Sequence, residues 1–126
     1  MQSSKPKIVI ITPGTFPIPS HRSSSVETVV DKVSRVLSTQ FRFYIVGKKE
    51  RRLSRYETTA TGITYIRPPF TKKASYLSKA VSLIRKLRPN LIQVENRPKF
   101  VPLLRRRFPS ACIILSLHST TYISQP

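Results

Sequence analysis

The stretch Lys7–Val30, KIVIITPGTFPIPSHRSSSVETVV, decides how the whole chain is read. Its first six residues, KIVIIT, form an unbroken β-branched run, the pattern of a strand buried on both faces rather than one that alternates. The period then changes. Val26, Val29, Val30, Val33, Val36 and Leu37 recur at i, i+3, i+4, i+7, i+10 and i+11, which predicts one apolar face of a helix. Ser24 with Glu27 three residues on has the form of a capping box at its start. Valine is a middling helix former, so packing against a sheet must hold this helix.

Between strand and helix lies PSHRSSSVET, Pro19–Thr28. It carries the chain from the carboxyl end of a strand to a helix N-terminus, where unpaired backbone N–H groups and the helix dipole favour an anion. The hydroxyls of Ser23, Ser24 and Ser25 could add donors and Arg22 a formal charge; the same serines could equally serve only as caps. Neither GxGxxG nor GxxxxGK[ST] is present, so both standard nucleotide fingerprints are missing.

Working outward, a second strand is expected at RFYIVG, ending at Gly47. The basic stretch KKERRLSRYETTATG, residues 48–62, reads as a surface loop, and ITYI, 63–66, as a short strand before Pro68-Pro69. Residues 75–88 are helical by period, with Leu77, Ala80, Val81, Ile84 and Leu87 on one face, and Pro89-Asn90 stop them. LIQVE, 91–95, is the next strand. A short helix follows over 99–107, with Pro98 or Pro102 near its first turn, and ACIILSL, 111–117, is the last strand. The order β-α-β-β-α-β-α-β predicts an α/β fold: a Rossmann-like, mostly parallel sheet with helices on both faces. Such sheets bind ligands beyond the carboxyl ends of their strands. Three loops are expected to converge there: Pro13–Ser25, Asn96–Pro98, and the stretch after Leu117.

Bulk properties set the outer bounds. The 126 residues suffice for one domain and are too few for two ordinary ones. No apolar run reaches the length of a membrane span, and no apolar signal core opens the chain, so a cytoplasmic protein is expected. The lone cysteine, Cys112, is expected to be a small buried hydrophobe. The formal net charge of +18 is the outlier. It attracts polyanions such as nucleic acid, anionic lipid or phosphorylated substrates, and does not choose among them.

At both ends the residues resemble a known family. KIVIITPGTFPIPSHRSSSVETVV is similar to the N-terminal motif of the family 4 glycosyltransferases, which have the two-domain GT-B fold. VENRPKFVPLLRRRFPSACIILSLHS, residues 94–119, resembles the matching segment of the spore-coat branch of that family, including Asn96-Arg97-Pro98 and the strand-ending His118. The likeness runs over most of the chain, with residues 48–75 carrying little of it. It implies a retaining transfer of a sugar from a nucleotide-sugar donor to an acceptor, with no metal and no further cofactor. It also implies that the chain is an N-terminal, acceptor-side domain expected to be inactive without a C-terminal donor-binding domain, supplied in cis or in trans.

The family places the loop ending here at Ser23-Ser24 near the donor phosphates, and the histidine after the last strand, here His118, against the transferred sugar. Glu95, Asn96, Arg97 and Arg22 would line the acceptor cleft, Arg97 pairing with an anionic group. The bland readings stand beside these: His118 as a strand cap, Asn96 and Arg97 as the turn before Pro98. One departure bears on the chemistry. The family usually carries a glycine pair where Ser23 and Ser24 stand, and glycine lets backbone amides approach a diphosphate closely.

Two further expectations concern the charge. Arg105–Arg107, on a short helix with Leu103, Leu104 and Phe108, would suit peripheral contact with anionic membrane or spore coat. The rival function is a small basic module for nucleic acid or another polyanion, suggested by the charge and by the basic loop 48–55 near Tyr56. No RNP, KH, zinc or helix-turn-helix signature supports it.

Overall fold

A computed structural model describes residues 5–13, 25–49, 51–60, 62–68 and 73–117. The strands are β1 (Lys7–Ile11), β2 (Arg42–Val46), β3 (Tyr56–Thr58), β4 (Thr64–Ile66), β5 (Leu91–Glu95) and β6 (Cys112–Ser116). The helices are α1 (Ser25–Leu37), α2 (Lys73–Ile84) and α3 (Val101–Arg107). A 3-10 turn at Arg85–Leu87 closes α2, and another at Pro98–Phe100 leads into α3.

The strands form one six-stranded sheet in the order β3-β4-β2-β1-β5-β6. Every pairing is parallel except β3 with β4. The α/β, Rossmann-like architecture read from the periodicities is therefore the one found. β1 lies at the centre, paired with β2 on one side and β5 on the other. Ile8, Val9, Ile10 and Ile11 are all buried, as an unalternating β-branched run requires.

Two cores form, one on each face. Val9, Ile11, Val46, Ile92 and Val94 meet α2 and α3 through Tyr76, Ala80, Ile84, Phe100 and Leu104. Ile8, Ile10, Phe43, Ile45 and Tyr65 meet α1, chiefly through Val30. Helices on opposite faces follow from right-handed crossovers that run in opposite directions along the sheet, from β1 to β2 through α1 and from β4 to β5 through α2. The chain steps from β1 outward to β2 and β4, then returns to the far side of β1 to make β5. That reversal is a topological switch point, which opens a crevice beyond the carboxyl ends of β1 and β5.

Four expectations change. The predicted stripe of α1 is mostly exposed: Val30 is buried, but Val29 and Val33 are each 46% exposed and Val36 is 76% exposed. The face turned to the sheet instead runs through Val30 and Ser34, whose hydroxyl satisfies itself on Val30 O at 2.7 Å. Cys112 is exposed rather than buried, because β6 is the edge strand of the described sheet. The 48–62 loop contains β3, whose residues are all exposed and so carry no apolar alternation to betray a strand. The helix expected at 75–88 begins at Lys73 and tightens to a 3-10 turn after Ile84.

Polar anchors hold what apolar packing cannot. Arg67, just past β4, is fully buried; it donates to Glu57 at 2.9 Å and to Ser54 O at 2.8 Å, and lies 5.0 Å above the Tyr65 ring. These contacts clamp the β3–β4 hairpin, whose turn needs Gly62 at φ +88°. On the other face Tyr65 donates to Asp31, which also pairs with Arg35 one helical turn on. Burial, followed by the hydrogen bond and charge of Asp31, holds the Tyr65 phenol well above its ordinary range.

The consequence for stability has a definite sign. A phenol whose ionisation is raised by folding contributes stability that is complete below its unfolded pKa of about 10 and is lost as pH rises through the folded value. Tyr65→Phe should cost about 1.5–3 kcal/mol at about pH 8, the worth of a hydrogen bond to a charged group. The gap between the two proteins should narrow above about pH 10. Urea midpoints measured across that range check it; a gap constant with pH would disprove the coupling.

Candidate functional site at the switch point

The carboxyl ends of β1 and β5 are built with unusual precision by side chains that reach between elements. Thr12, completely buried, donates from its backbone to Val46 O at 3.0 Å and from its hydroxyl to the same oxygen at 2.8 Å. The Tyr76 hydroxyl, also completely buried, lies 3.1 Å from both Thr12 O and Val46 O. Its single proton is shared between those two acceptors. Thus α2 is bolted to the ends of β1 and β2 at the point where the β1–α1 loop departs. Neither residue was singled out from sequence, although Tyr76, Ala80 and Ile84 at spacings of four mark the same buried helix row.

Across the crevice stand Glu95, Asn96 and Arg97. Glu95 ends β5 with only 1% of its surface exposed and accepts a hydrogen bond from Gln93 Nε2 at 2.5 Å. Alternation along β5 puts Leu91, Gln93 and Glu95 on the α1 face. There they line, with Val29, Val33 and Ser116, a groove of about 170 Å³ between α1 and the sheet. Burying a carboxylate is costly unless hydrogen bonds compensate, so its retention at the polar end of this groove marks a place built to accept hydrogen bonds.

Asn96 adopts a left-handed backbone, φ +54°, and its N–H donates to Ser116 O at 2.8 Å. Asparagine tolerates that conformation better than most residues. The turn therefore lifts Arg97 out of the strand, with Arg97 Nη1 3.3 Å from Asn96 O and Arg97 O accepting from Phe100 N at 3.0 Å. Asn96 and Arg97 thus form the turn before Pro98, at the carboxyl end of the strand that Glu95 closes. Acceptors beside donors in a half-apolar groove suit a polyhydroxylated ligand.

Arg22, Ser23, Ser24 and His118, the remaining site residues expected from sequence, lie outside the described residues. Among the described residues no group of three or more His, Cys, Asp or Glu side chains could hold a metal ion. None of their helices is long and apolar enough to cross a membrane.

Residues tied to the rival expectations are placed as well. Leu104 and Phe108 of the α3 region are in the core and Leu103 is half-buried, whereas Arg105, Arg106 and Arg107 are exposed. Phe43 is buried and Phe41 packs edge-on against it at 6.1 Å, which leaves no stacking platform at that pair.

No protein-family model matches the chain, and no solved structure does. Two curated proteins of Bacillus subtilis (strain 168) are similar to it. Spore coat protein SA is 26% identical over 116 residues, covering 92% of this chain and 30% of that protein. The protein named "Putative glycosyltransferase YtcC" is 28% identical over 116 residues, covering 92% of this chain and 28% of its own length. The chain thus spans under a third of the curated relatives it matches, and the likeness is that of a glycosyltransferase-like N-terminal region.

The strained turn supplies a test of its own. Asn96→Val should destabilise the fold by about 1–3 kcal/mol, since a β-branched residue at positive φ is strained. Asn96→Gly should be nearly neutral there, because glycine enters this conformation freely. Thermal unfolding of both variants checks the pair; equal losses would mean that the asparagine side chain, not the backbone, holds the turn.

Proposed function

We propose that this chain is the acceptor-side N-terminal part of an enzyme that transfers a sugar, with retention of configuration, from a nucleotide-sugar donor to an acceptor. The observation that carries the reading is the coincidence of two things at one place. The switch-point crevice is furnished with Glu95, Asn96 and Arg97, and the chain holding it is similar over 92% of its length to a protein named as a glycosyltransferase. The family 4 assignment and the GT-B arrangement rest on the resemblance of Lys7–Val30 and Val94–Ser119.

In this reading Glu95 and Asn96 accept and donate hydrogen bonds to acceptor hydroxyls, and Arg97 meets an anionic group on the acceptor. Arg22 borders the same cleft. Ser23 and Ser24, with the N-terminal amides of α1, stand near the donor diphosphate, where unpaired N–H groups and the helix dipole favour negative charge. His118 donates a hydrogen bond to the transferred sugar. Stabilisation of the departing nucleotide comes from a second domain, so the chain alone is inactive. Contact with anionic membrane, where it occurs, is electrostatic and made by Arg105–Arg107, because their apolar neighbours Leu104 and Phe108 are buried.

The test is a transfer assay on the protein isolated from its source cells, with a panel of nucleotide sugars and detection of released nucleoside diphosphate. Turnover of one donor is expected. His118→Ala should lower kcat/KM by about tenfold or more, the loss of roughly one charge-free hydrogen bond in the transition state. Arg97→Ala should chiefly raise the KM for an anionic acceptor. Unchanged kinetics in both variants, or no donor consumed, would refute the reading.

A further inference from the structure

The second place where the structure concentrates charge is on the far side of the sheet from Glu95. Because β3 runs antiparallel to β4, the start of β3 and the end of β4 lie together at the carboxyl end of the sheet, with Tyr56 opposite Ile66. The register puts Tyr56 on the same face as Ile66, which packs toward α2. Between this corner and α2 lies a cavity of about 320 Å³.

Its walls divide by chemistry. Ser78, Lys79, Ser82 and Leu83 project from the α2 surface at spacings of four, opposite the buried row of Tyr76, Ala80 and Ile84. Arg55 and Tyr56 come from the hairpin, and Arg67 and Pro68 close the inner end. Among the described residues that line it, none is acidic. The charge of Arg67 is met by Glu57 at 2.9 Å, so two cations, Arg55 and Lys79, are left to face the space. Neither enters an ion pair among the described residues.

We propose that this cavity is a binding site for a soluble phosphomonoester of about the size of a sugar phosphate. A monophosphate near its dianionic form balances the two cations, and the Ser78 and Ser82 hydroxyls supply donors to its remaining oxygens. The Tyr56 ring, 55% exposed, with Leu83 and Pro68, offers an apolar wall to the carbon skeleton of the ligand. The volume is that of a small-molecule site rather than a crevice for one ion, at the lower end of the range of about 300–1,000 Å³. The cavity lies beyond the carboxyl end of β4, at the edge of the described sheet away from the switch point. The site lies on the α2 face, whereas the Glu95 groove lies on the α1 face, so it does not depend on the transfer reaction proposed above.

The experiment is calorimetric titration of the full chain with glucose 6-phosphate, inorganic phosphate and glucose at about physiological salt, where loose surface attraction is screened. Glucose 6-phosphate should bind saturably with Kd below about 10 mM and more tightly than inorganic phosphate, and glucose should not bind. Arg55→Gln and Lys79→Gln, both at exposed positions, should each weaken it by about tenfold, the loss of one charge-assisted contact. The double variant Lys32→Gln/Arg42→Gln, at exposed positions that do not line the cavity, removes equal or greater charge elsewhere and should leave affinity unchanged. Equal weakening in that variant, no saturation, or binding only to phosphatidate vesicles and not to the soluble ester would each overturn the proposal.

Discussion

Everything in this structure hangs on β1 being hydrogen-bonded on both edges and buried on both faces. A strand in that position can be neither polar nor alternating, and KIVII is neither. Once it is central, β2 and β5 must flank it, the crossovers must place α1 and α2 on opposite faces, and a crevice must open at the carboxyl ends of β1 and β5. The Thr12–Tyr76–Val46 network sharpens that consequence. It locks a helix to two strand ends at the one point where the chain must leave the sheet, so the loop that follows starts from a rigid base.

Charge is handled by segregation. The acidic side chains that the structure describes are engaged inside or beside the fold: Asp31 with Tyr65 and Arg35, Glu57 with Arg67, Glu95 with Gln93. Most of the large basic excess therefore remains at the surface, where water and counterions screen it. Two patches differ from simple solvated surface. Arg97 is positioned by a strained turn, and Arg55 with Lys79 borders a cavity that also has apolar walls. Basic charge alone carries no specificity; basic charge beside a shaped, partly dry surface does.

The relation between pattern and outcome is uneven for physical reasons. Strands buried on two faces advertise themselves, and β1, β2 and β5 were legible. β3 was not, because three exposed residues held by a backbone ladder and one buried arginine leave no periodic trace. The α1 stripe was legible as a helix and misleading as a burial pattern. Val29 and Val33 stay half-exposed over the groove toward β6, the edge strand of the described sheet, where Ile114 on the same face is also exposed. Glu95, Asn96 and Arg97 were legible as strand-end residues, and their exact roles required knowing which strand lay next to them.

By itself the sequence determined the three helices, five of the six strands and their order, the mostly parallel sheet and the likeness to glycosyltransferases at two motifs, because those properties reside in local periodicity and residue identity. Only the tertiary structure decided that Glu95 is buried on the α1 face, that Asn96 takes a left-handed turn against Ser116, and that Arg67 clamps a hairpin. It alone brought Arg55 to α2. Each of these depends on contacts between residues far apart in the chain, and strand order, not sequence distance, determines which of them meet.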